Sequence, residues 1–495
     1  MKKMFNSEKK TANLSIAFIL ILIITSLRIY FLYNSGNNLY ADEAQYWDWS
    51  RNLDWGYYSK PPFIAWIIRA TTNIFGNSEF AIRLSSPILH AITSIIIYFI
   101  SLNLFDRKIA FYSAITYLTL PSVTLSSSLI STDAILLFFW SLTILLFLKS
   151  INTNILLYWI LTGLIGGCGC LAKYNMIIIV PSTMLYLIFT KQLKSTLTNY
   201  RFWACITIGF LVYCPNLYWN YNNGFVSYLH TQEISRLDKE LFHPKQLFEF
   251  LAAQIIIIGP ILTYILLISL KNIKSILSDE KYKFLISYFL PFLGFIALLS
   301  FISKALANWA APAAVTMIIW IVAYQIRERK TTRILIVSIF LHLLVAGIFY
   351  NYYKIFDKDK LTAKSGSIIY RDPFYRMAGW REFGEKVKSI YYTHNEPNFL
   401  INDRKILVEL QYYTKDSDIR FYKWNPAQKI NNHYDLTRDI KNMKGENFIY
   451  LSKDRQDKIT SYFKESKIID EINITLYPDY KLHFYVYELQ GFLGY

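Results

Sequence analysis

The chain has 495 residues, of which 54% are hydrophobic and only 18% are charged, whereas roughly 25% of the residues of a soluble domain are charged. A formal net charge of +17 would suit a nucleic-acid-binding protein, but the basic residues fall in short clusters between long apolar runs. The composition therefore excludes an ordinary soluble protein and predicts a membrane protein with no nucleic-acid partner.

Apolar runs of about 20 residues, the length that crosses a bilayer, recur along most of the chain. They predict a polytopic α-helical membrane protein with about 11 to 13 transmembrane helices. The candidates cover approximately residues 13–33, 81–105, 109–127, 133–148, two segments on either side of Lys173, 202–219, 246–270, 284–301, 309–326 and 334–350.

The distribution of basic residues predicts the orientation. The N-terminal stretch MKKMFNSEKK is basic, and the first apolar run lacks the cleavage site of a signal peptide, so we expect an uncleaved first span and a cytoplasmic N terminus. Alternation from there places the dense Lys/Arg clusters inside and the first loop, residues 34–80, outside. Asp133, Lys173, Lys304 and the tail, residues 351–495, fall on the same outer side.

The first outer loop combines acidic and aromatic residues. Asp42 and Glu43 follow the first span closely and lie within the run YADEAQYWDW, which also contains Tyr46. This pattern predicts an amphipathic helix seated among lipid headgroups. The two acids either solvate the end of the loop or supply a general base for a hydroxyl or amine acceptor.

Lys60 precedes two prolines in the same loop, after Tyr57 in the run GYYSKPP. The prolines are expected to start a short helix over Phe63 to Phe75 that lies on the membrane or re-enters it. Lys60 either binds a lipid-borne phosphate or extends its ammonium to anionic headgroups.

Further charged residues stand at the ends of later spans. Asp133 follows Ser131-Thr132, which is also an ordinary helix N-cap arrangement. Arg83 and Lys173 flank apolar runs, where single basic residues often anchor a helix at the interface. Lys304 begins the run KALANWAAP, and several such outer-facing cations would together form a phosphate pocket.

The tail, residues 351–495, alternates strand-like runs such as 399–401, 448–451 and 482–489 with helix-like polar stretches. It predicts a small extracytoplasmic α/β domain. Its role is either to cover the cavity or to recognise an acceptor, with Arg371, Arg376 and Arg381 meeting an anionic acceptor or the acids of the first loop.

The sequence offers little support for a metal or nucleotide site. The four cysteines lie in or beside apolar runs, and neither HxxxH nor HxH spacing is present. No P-loop or GxGxxG follows a predicted strand, which disfavours an ATP-driven machine. We therefore predict that the protein requires no cofactor and holds no metal.

The runs YADEAQYW, GYYSKPP, STDA, LAKYN and KALANWAAP, in this order, resemble the GT-C glycosyltransferases of the protein O-mannosyltransferase type, and most of all the bacterial branch typified by the lipid A aminoarabinose transferase. The resemblance covers about residues 14–320. It implies a GT-C fold, with residues 1–350 as the transmembrane glycosyltransferase domain and residues 34–80 as its catalytic loop.

The same resemblance implies roles for individual residues. Asp42 matches the catalytic base or acceptor-orienting aspartate, Glu43 its acidic neighbour, and Asp133 the second aspartate. Tyr46, Tyr57 and Lys60 match residues that line the donor cavity, with Lys60 meeting the lipid phosphate. Ser59 replaces the acidic residue that precedes lysine-proline-proline in the aminoarabinose transferase pattern, which removes a possible metal ligand, although some GT-C enzymes use a divalent ion.

The implied function is transfer of a sugar, with inversion, from polyprenyl (undecaprenyl) phosphate to lipid A or another envelope glycolipid at the periplasmic face of the bacterial inner membrane. Lys60, with Arg83, Lys173 or Lys304, would stabilise the departing phosphate. Two alternatives stay open: transfer to Ser/Thr of exported proteins, and a non-enzymatic transporter or flippase of lipid-linked saccharide. The charges gather at one face rather than at mid-span, which favours an enzyme over a transporter.

Overall fold

The computed structural model describes residues 2–235, 242–364 and 371–495, with side chains from Leu14 onward. These residues divide into two compact units. The first, here called the membrane unit, comprises Met1–Asn34, Lys60–Ile67 and Arg83–Tyr350, and the second, the C-terminal unit, comprises Ser35–Ser59, Ile68–Ile82 and Asn351–Tyr495.

This division differs from the predicted domains in the placement of the first loop. The sequence grouped residues 34–80 with the transmembrane domain, whereas most of them cluster with the tail. The physical reason is direct packing. The ring of Trp47 lies edge-on to Tyr412 with 5.0 Å between centroids, and the backbone N–H of Leu39 donates to the Tyr413 hydroxyl at 2.7 Å.

Up to Ile355 the described chain is almost entirely helical. Its α-helices are α1 (Lys2–Tyr33), α2 (Ala41–Arg51), α3 (Phe63–Phe75), α4 (Glu79–Arg83), α5 (Ser85–Leu104), α6 (Arg107–Thr119), α7 (Pro121–Ser126), α8 (Thr132–Thr153), α9 (Leu156–Ala172), α10 (Ile179–Phe189), α11 (Leu193–Leu197), α12 (Tyr200–Asn222), α13 (Val226–Ser235), α14 (Pro244–Ile258), α15 (Pro260–Lys271), α16 (Ile273–Ile276), α17 (Glu280–Ile302), α18 (Ala313–Arg327), α19 (Arg333–Tyr350) and α20 (Tyr352–Ile355).

Several of these helices have the length and composition of membrane spans. Within the described ranges there are six: Leu14–Tyr33, Glu79–Leu104, Thr132–Thr153, Tyr200–Asn222, Glu280–Ile302 and Arg333–Tyr350. The pair α14 and α15 makes a seventh if its two helices, bent by 112°, count as one span. The other predicted runs are helical but shorter, which is why the number of full-length spans is smaller than predicted.

The backbone conformation explains why two of the predicted runs are each divided into two helices. Leu120 precedes Pro121 and adopts the extended conformation that a proline imposes on its predecessor, with ψ of 141°, so the run 109–127 divides into α6 and α7. Gly259 has φ of +92° and is followed by Pro260, which separates α14 from α15. The predicted runs are therefore correct as apolar helices and too long as continuous spans.

A buried cation stabilises the first of these breaks. Arg28 of α1 is only 4% exposed, and its guanidinium donates to the Leu118 carbonyl at 2.6 Å and to the hydroxyls of Thr124 and Ser127 at 3.2 Å. These acceptors lie in or beside α6 and α7. Arg28 therefore ties the first span to the broken helix pair by polar contacts that are costly to lose inside a membrane.

Helices α9 and α12 approach each other closely because glycine lines their contact. A Cβ atom on Gly163 would lie 2.2 Å from the carbonyl oxygen of Cys205, and one on Gly167 would lie 2.7 Å from that of Gly209. Small residues four apart allow this backbone contact between membrane helices. The cysteines of these helices are free.

The C-terminal unit contains a five-stranded mixed sheet with the strand order β2-β1-β3-β5-β4. Its elements are α21 (Trp380–Thr393), β1 (Phe399–Ile401), α22 (Arg404–Tyr413), β2 (Phe421–Lys423), α23 (His433–Thr437), β3 (Phe448–Ser452), β4 (Phe463–Tyr477) and β5 (Tyr480–Phe492). Strand β1 is parallel to β2 and β3, whereas β5 is antiparallel to β3 and β4. The predicted fold class, a polytopic helical protein with a small C-terminal α/β domain, is confirmed.

Candidate active site

The predicted second aspartate, Asp133, lies in the first turn of α8. The Ser131 hydroxyl accepts the backbone N–H of Asp133 at 3.3 Å, so the N-cap interpretation holds for Ser131. The Asp133 carboxylate has other partners, however. Its Oδ1 accepts from Lys173 Nζ at 2.6 Å, and its Oδ2 accepts from Asn308 Nδ2 at 2.7 Å.

This cluster brings together the motifs STDA, LAKYN and KALANWAAP. The Asp133 and Lys173 side chains are each only 12% exposed. A poorly hydrated ion pair needs both partners, because either charge alone is expensive to bury. The third motif contributes Asn308 rather than Lys304, whose side chain is exposed in the structure.

The other predicted cations of the membrane unit lie at helix boundaries. Lys60 is half-buried and is followed, as predicted, by a helix over Phe63–Phe75. Arg83 ends α4 and is only 2% exposed. The geometry thus places Arg83 inside the protein rather than as a solvated interfacial anchor.

In the C-terminal unit, Asp42 occupies the first turn of α2. Its carboxylate is 48% exposed, and both terminal nitrogens of Arg404 contact Oδ1, at 3.1 and 3.2 Å. Arg404 also donates to the side-chain oxygen of Gln45. Because the cation engages one oxygen of a half-exposed carboxylate, Asp42 is both oriented and accessible.

A second aspartate on the same face of α2 is buried. The Asp48 carboxylate accepts hydrogen bonds from two residues of the tail: Arg438 donates to Oδ1 at 3.0 Å, and the Tyr434 hydroxyl donates to Oδ2 at 2.8 Å. Asp42, Gln45 and Asp48 are spaced three residues apart, which places them along one face of the helix. This face is held by arginines that follow it by more than 350 residues in sequence.

The side chains of Glu43 and Tyr57 make contacts that stabilise the local structure. Glu43 is 2% exposed, and its carboxylate accepts the backbone N–H of Tyr40 at 2.9 Å, which caps the start of α2. Tyr57 stacks on Trp49 with 4.6 Å between centroids, and its hydroxyl donates to the carbonyl oxygens of Trp49 and Asn52. Burial raises the pKa of the Tyr57 hydroxyl, so this group remains protonated at neutral pH.

The aromatic residues of α2 pack within the protein rather than outward. Tyr46, Trp47 and Trp49 are 7%, 4% and 1% exposed, and Tyr46 lies 5.4 Å from Trp49 between centroids. The prediction that they seat this helix among lipid headgroups is therefore wrong for these three rings. They are buried because the C-terminal unit supplies partners, such as Tyr412 for Trp47.

The structure adds residues that sequence reasoning missed, and two of them had a usable signal. Arg404 lies three residues after the end of β1, and the residues after the carboxyl end of a parallel strand are frequent site positions. Asn308 lies inside a motif that was singled out for its lysine. Arg438 and Tyr434 had no comparable local signal. Within the described ranges, no group of three His, Cys, Asp or Glu residues could hold a metal ion.

His433 packs edge-on against two rings of the first loop, with centroids 5.5 Å from Trp49 and 5.6 Å from Tyr57. Its Nδ1 is buried and has no hydrogen-bond partner in the described part of the chain. Burial, aided by the nearby charge of Arg438, lowers the pKa of His433 to about 4. The neutral imidazole is thus part of the packing around Trp49.

Acidification is expected to destabilise the C-terminal unit through His433, because its folded pKa lies below the ordinary value of 6.5. Above pH 6.5 the ring is neutral in both states and the stability is fully present, whereas between pH 6.5 and 4 only the unfolded state gains the proton. The free energy of unfolding should fall by about 2 kcal/mol between pH 7 and pH 5. In thermal unfolding measurements, the His433→Gln variant should lose most of this dependence of stability on pH, whereas His394→Gln should keep it. Equal pH dependence in both variants would contradict the assignment.

Known proteins match this chain in sequence and in fold. Residues 59–219 match the family model described as dolichyl-phosphate-mannose-protein mannosyltransferase. Lipid A galacturonosyltransferase RgtD of Rhizobium johnstonii is 28% identical over 421 residues, which cover 84% of this chain and 86% of the relative. Lipopolysaccharide core galacturonosyltransferase RgtA of the same organism is 27% identical over 43% of this chain and 42% of its own.

The fold has a solved counterpart. The crystal structure of ArnT from Cupriavidus metallidurans bound to undecaprenyl phosphate superposes with a TM-score of 0.68 over 97% of this chain and 98% of that chain, at 12% sequence identity. These matches confirm the resemblance drawn from the ordered motifs, which lie partly inside the matched range 59–219. The chain is therefore similar in sequence to the mannosyltransferase family model and to lipid A and lipopolysaccharide galacturonosyltransferases, and it has the fold of ArnT.

Proposed function

We propose that this protein transfers a sugar from a polyprenyl phosphate, undecaprenyl phosphate in a bacterium, to lipid A or a related envelope glycolipid. The observation that carries the proposal is the similarity to RgtD, a lipid A galacturonosyltransferase, over 84% of the chain. Galacturonic acid is accordingly the first sugar to test. The proposed location is the inner membrane, with the active site at the periplasmic face, because the dense Lys/Arg clusters mark the opposite side as cytoplasmic.

In the proposed reaction, the acceptor hydroxyl oxygen attacks the anomeric carbon of the donor sugar. The new bond joins that oxygen to the anomeric carbon, the bond from the carbon to the phosphate oxygen breaks, and polyprenyl phosphate departs, with inversion at the carbon. Asp42 accepts the hydroxyl proton, since its carboxylate is half-exposed and oriented by Arg404. Arg404 acts as a positioning residue through Asp42.

The departing phosphate needs positive charge. We assign this role to Lys60, which is half-buried in the membrane unit and precedes the rigid pair Pro61-Pro62. Lys173 is less suited, because its ammonium is already paired with Asp133 at 2.6 Å. Asp133 therefore acts by fixing Lys173 and Asn308, and the exposed Lys304 is assigned no direct contact with the phosphate.

The proposal predicts sugar transfer by the purified protein without a nucleotide sugar. Proteoliposomes that contain undecaprenyl-phosphate galacturonic acid and lipid A should yield lipid A with an added hexuronic acid, detected by mass spectrometry. Lys60→Gln should reduce this product by about 10²-fold, whereas Arg69→Gln, in the following helix, should not. Modification of Ser/Thr in an exported protein instead of lipid A would favour the mannosyltransferase-like alternative, and lipid translocation without a new glycosidic bond would favour a flippase.

A further inference from the structure

A group of cations and tyrosines stands apart from the residues assigned above; it lies in the stretch between α20 and α21 and at the start of β5. We call it the cation–tyrosine cluster; it consists of Lys364, Arg371, Arg376, Tyr375 and Tyr480. All three cations are exposed. The sequence left open whether the arginines of this stretch meet an anionic acceptor or the acids of the first loop.

The structure separates these arginines into two kinds. Arg381 meets a first-loop acid, since its guanidinium donates to Glu79 at 2.6 Å. In the part of the chain that the structure describes, Lys364, Arg371 and Arg376 form no ion pair. Their positive charge is therefore not neutralised by a described carboxylate.

Aromatic rings hold the three cations together. The rings of Tyr375 and Tyr480 contact edge to face, with 6.4 Å between centroids. Arg376 and Arg371 lie 5.6 and 6.0 Å from the Tyr375 centroid, and Lys364 lies 4.9 Å from that of Tyr480. Two neighbouring rings thus keep three like charges close, at the distance of cation–π contacts.

The acidic residues adjacent in sequence are used elsewhere. Asp372 is fully buried and accepts from the hydroxyls of Tyr353 at 3.0 Å and Tyr477 at 2.6 Å. Asp479 accepts the backbone N–H groups of Ala363 at 2.7 Å and Lys364 at 2.8 Å. The hydrogen bonds of Asp479 hold the backbone at Ala363 and Lys364, and among the described residues no carboxylate forms an ion pair with the guanidinium groups of the cluster.

The neighbouring arginines change the pKa of Tyr375, the tyrosine at the centre of the cluster. Arg376 Nε donates to the Tyr375 hydroxyl at 3.1 Å. This hydrogen bond, together with the charges of Arg376 and Arg371, lowers the pKa of Tyr375 below its ordinary value. Positive charge that no described carboxylate neutralises favours the binding of an anion.

The cluster also contacts the segment that carries Asp42. Arg376 Nη1 lies 3.5 Å from the hydroxyl of Tyr40, the residue that precedes α2. Asp42 follows only two residues later. A ligand on the cluster would therefore be held beside the start of the helix that bears the proposed base.

We propose that the cation–tyrosine cluster is a binding site for a phosphomonoester group of the glycolipid acceptor. Arginine and lysine bind phosphate by charge-assisted hydrogen bonds, and arginine does so with two parallel donors. The choice of acceptor rests on the proposed function, whereas the affinity for a phosphorylated glycolipid rests on the cluster alone. Bound there, the phosphate would anchor the acceptor while its hydroxyl reaches Asp42.

The test compares two acceptors that differ only in phosphate: lipid A with its phosphomonoesters, and the same lipid A after enzymatic dephosphorylation. Full-length protein in zwitterionic nanodiscs should prefer the phosphorylated lipid by about 10-fold in kcat/KM. The triple variant K364Q/R371Q/R376Q should lose this preference. The matched control K429Q/K441Q/K444Q removes three exposed lysines of the same unit and should keep it.

Other results would overturn the proposal. A wild-type protein that transfers sugar to both lipids equally well, or a triple variant that keeps the preference, would contradict a phosphate site. Loss of binding to phosphatidylglycerol vesicles in parallel with lipid A would show a general membrane-surface contact instead. If the wild type glycosylates neither lipid, the proposed function fails; fluorescence titration with the two lipids then still tests the cluster, and equal affinities would reject it.

Discussion

Replacing Asp42 with asparagine is expected to lower kcat for sugar transfer by about 10³-fold. Asparagine retains the size of the side chain and an oxygen that can accept from Arg404, but it cannot take up a proton at neutral pH. The substitution should leave the free energy of unfolding nearly unchanged, because the ion pair between Asp42 and Arg404 is partly solvated. Initial rates with saturating donor and acceptor measure the effect.

The matched control is Asp54→Asn, a change of an exposed carboxylate in the same loop that should leave the rate within about twofold of the wild type. Arg404→Gln should fall between the two, because Asp42 remains but is no longer oriented. If Asp42→Asn retains the wild-type rate while the melting temperature is unchanged, Asp42 is not the base, and the acceptor is deprotonated elsewhere or not at all.

Breaking the ion pair between Asp133 and Lys173 is expected to lower the free energy of unfolding by about 3 kcal/mol for either Asp133→Asn or Lys173→Met. Each single change leaves one charge in a position where its side chain is only 12% exposed. The double variant should recover most of the loss, because no unpaired charge remains. Unfolding in mixed micelles measures the cycle, and Arg327→Met, which breaks a more exposed pair with Asp279, should cost about 1 kcal/mol or less.

The activity of the same double variant distinguishes between two roles of Asp133 and Lys173. If Asp133 and Lys173 only hold α8 and the turn at Lys173 together, the double variant should regain sugar transfer along with stability. If either group acts on the donor, the double variant should be folded and remain inactive. Stability that is additive across the cycle would show that the two charges do not interact, contrary to their 2.6 Å separation.

The fold could be predicted from local patterns wherever a whole segment lies in a single environment. Apolar runs became helices, and the run at 399–401 is strand β1 with the predicted bounds. Strand β4, Phe463–Tyr477, was not predicted. In the described sheet β4 is an edge strand next to β5, and most of its side chains are exposed. Charged residues therefore interrupt its alternation, as is common in edge strands.

The site was predictable where a motif itself supplied the contact. Asp133, Lys173 and Asn308 came from three motifs that had been noted in order, although only the structure shows that they meet. The partners of α2 could not be found in this way. Arg404 and Arg438 lie 362 and 390 residues beyond Asp42 and Asp48, and no periodicity in either segment reports so distant a contact. The same limit applies to Glu43, whose acidity drew attention although its carboxylate caps a helix.

The distance in sequence between α2 and its partners has a consequence for biosynthesis. A ribosome that adds about 5 to 20 residues per second needs roughly 20 to 80 seconds after making Asp48 before it makes Arg438. During that interval Trp47 and Trp49 lack Tyr412 and His433, the rings that cover them in the finished protein. Chains truncated before residue 404 should therefore expose the indole rings of Trp47 and Trp49. Quality-control proteases should degrade these chains faster than chains truncated after residue 438.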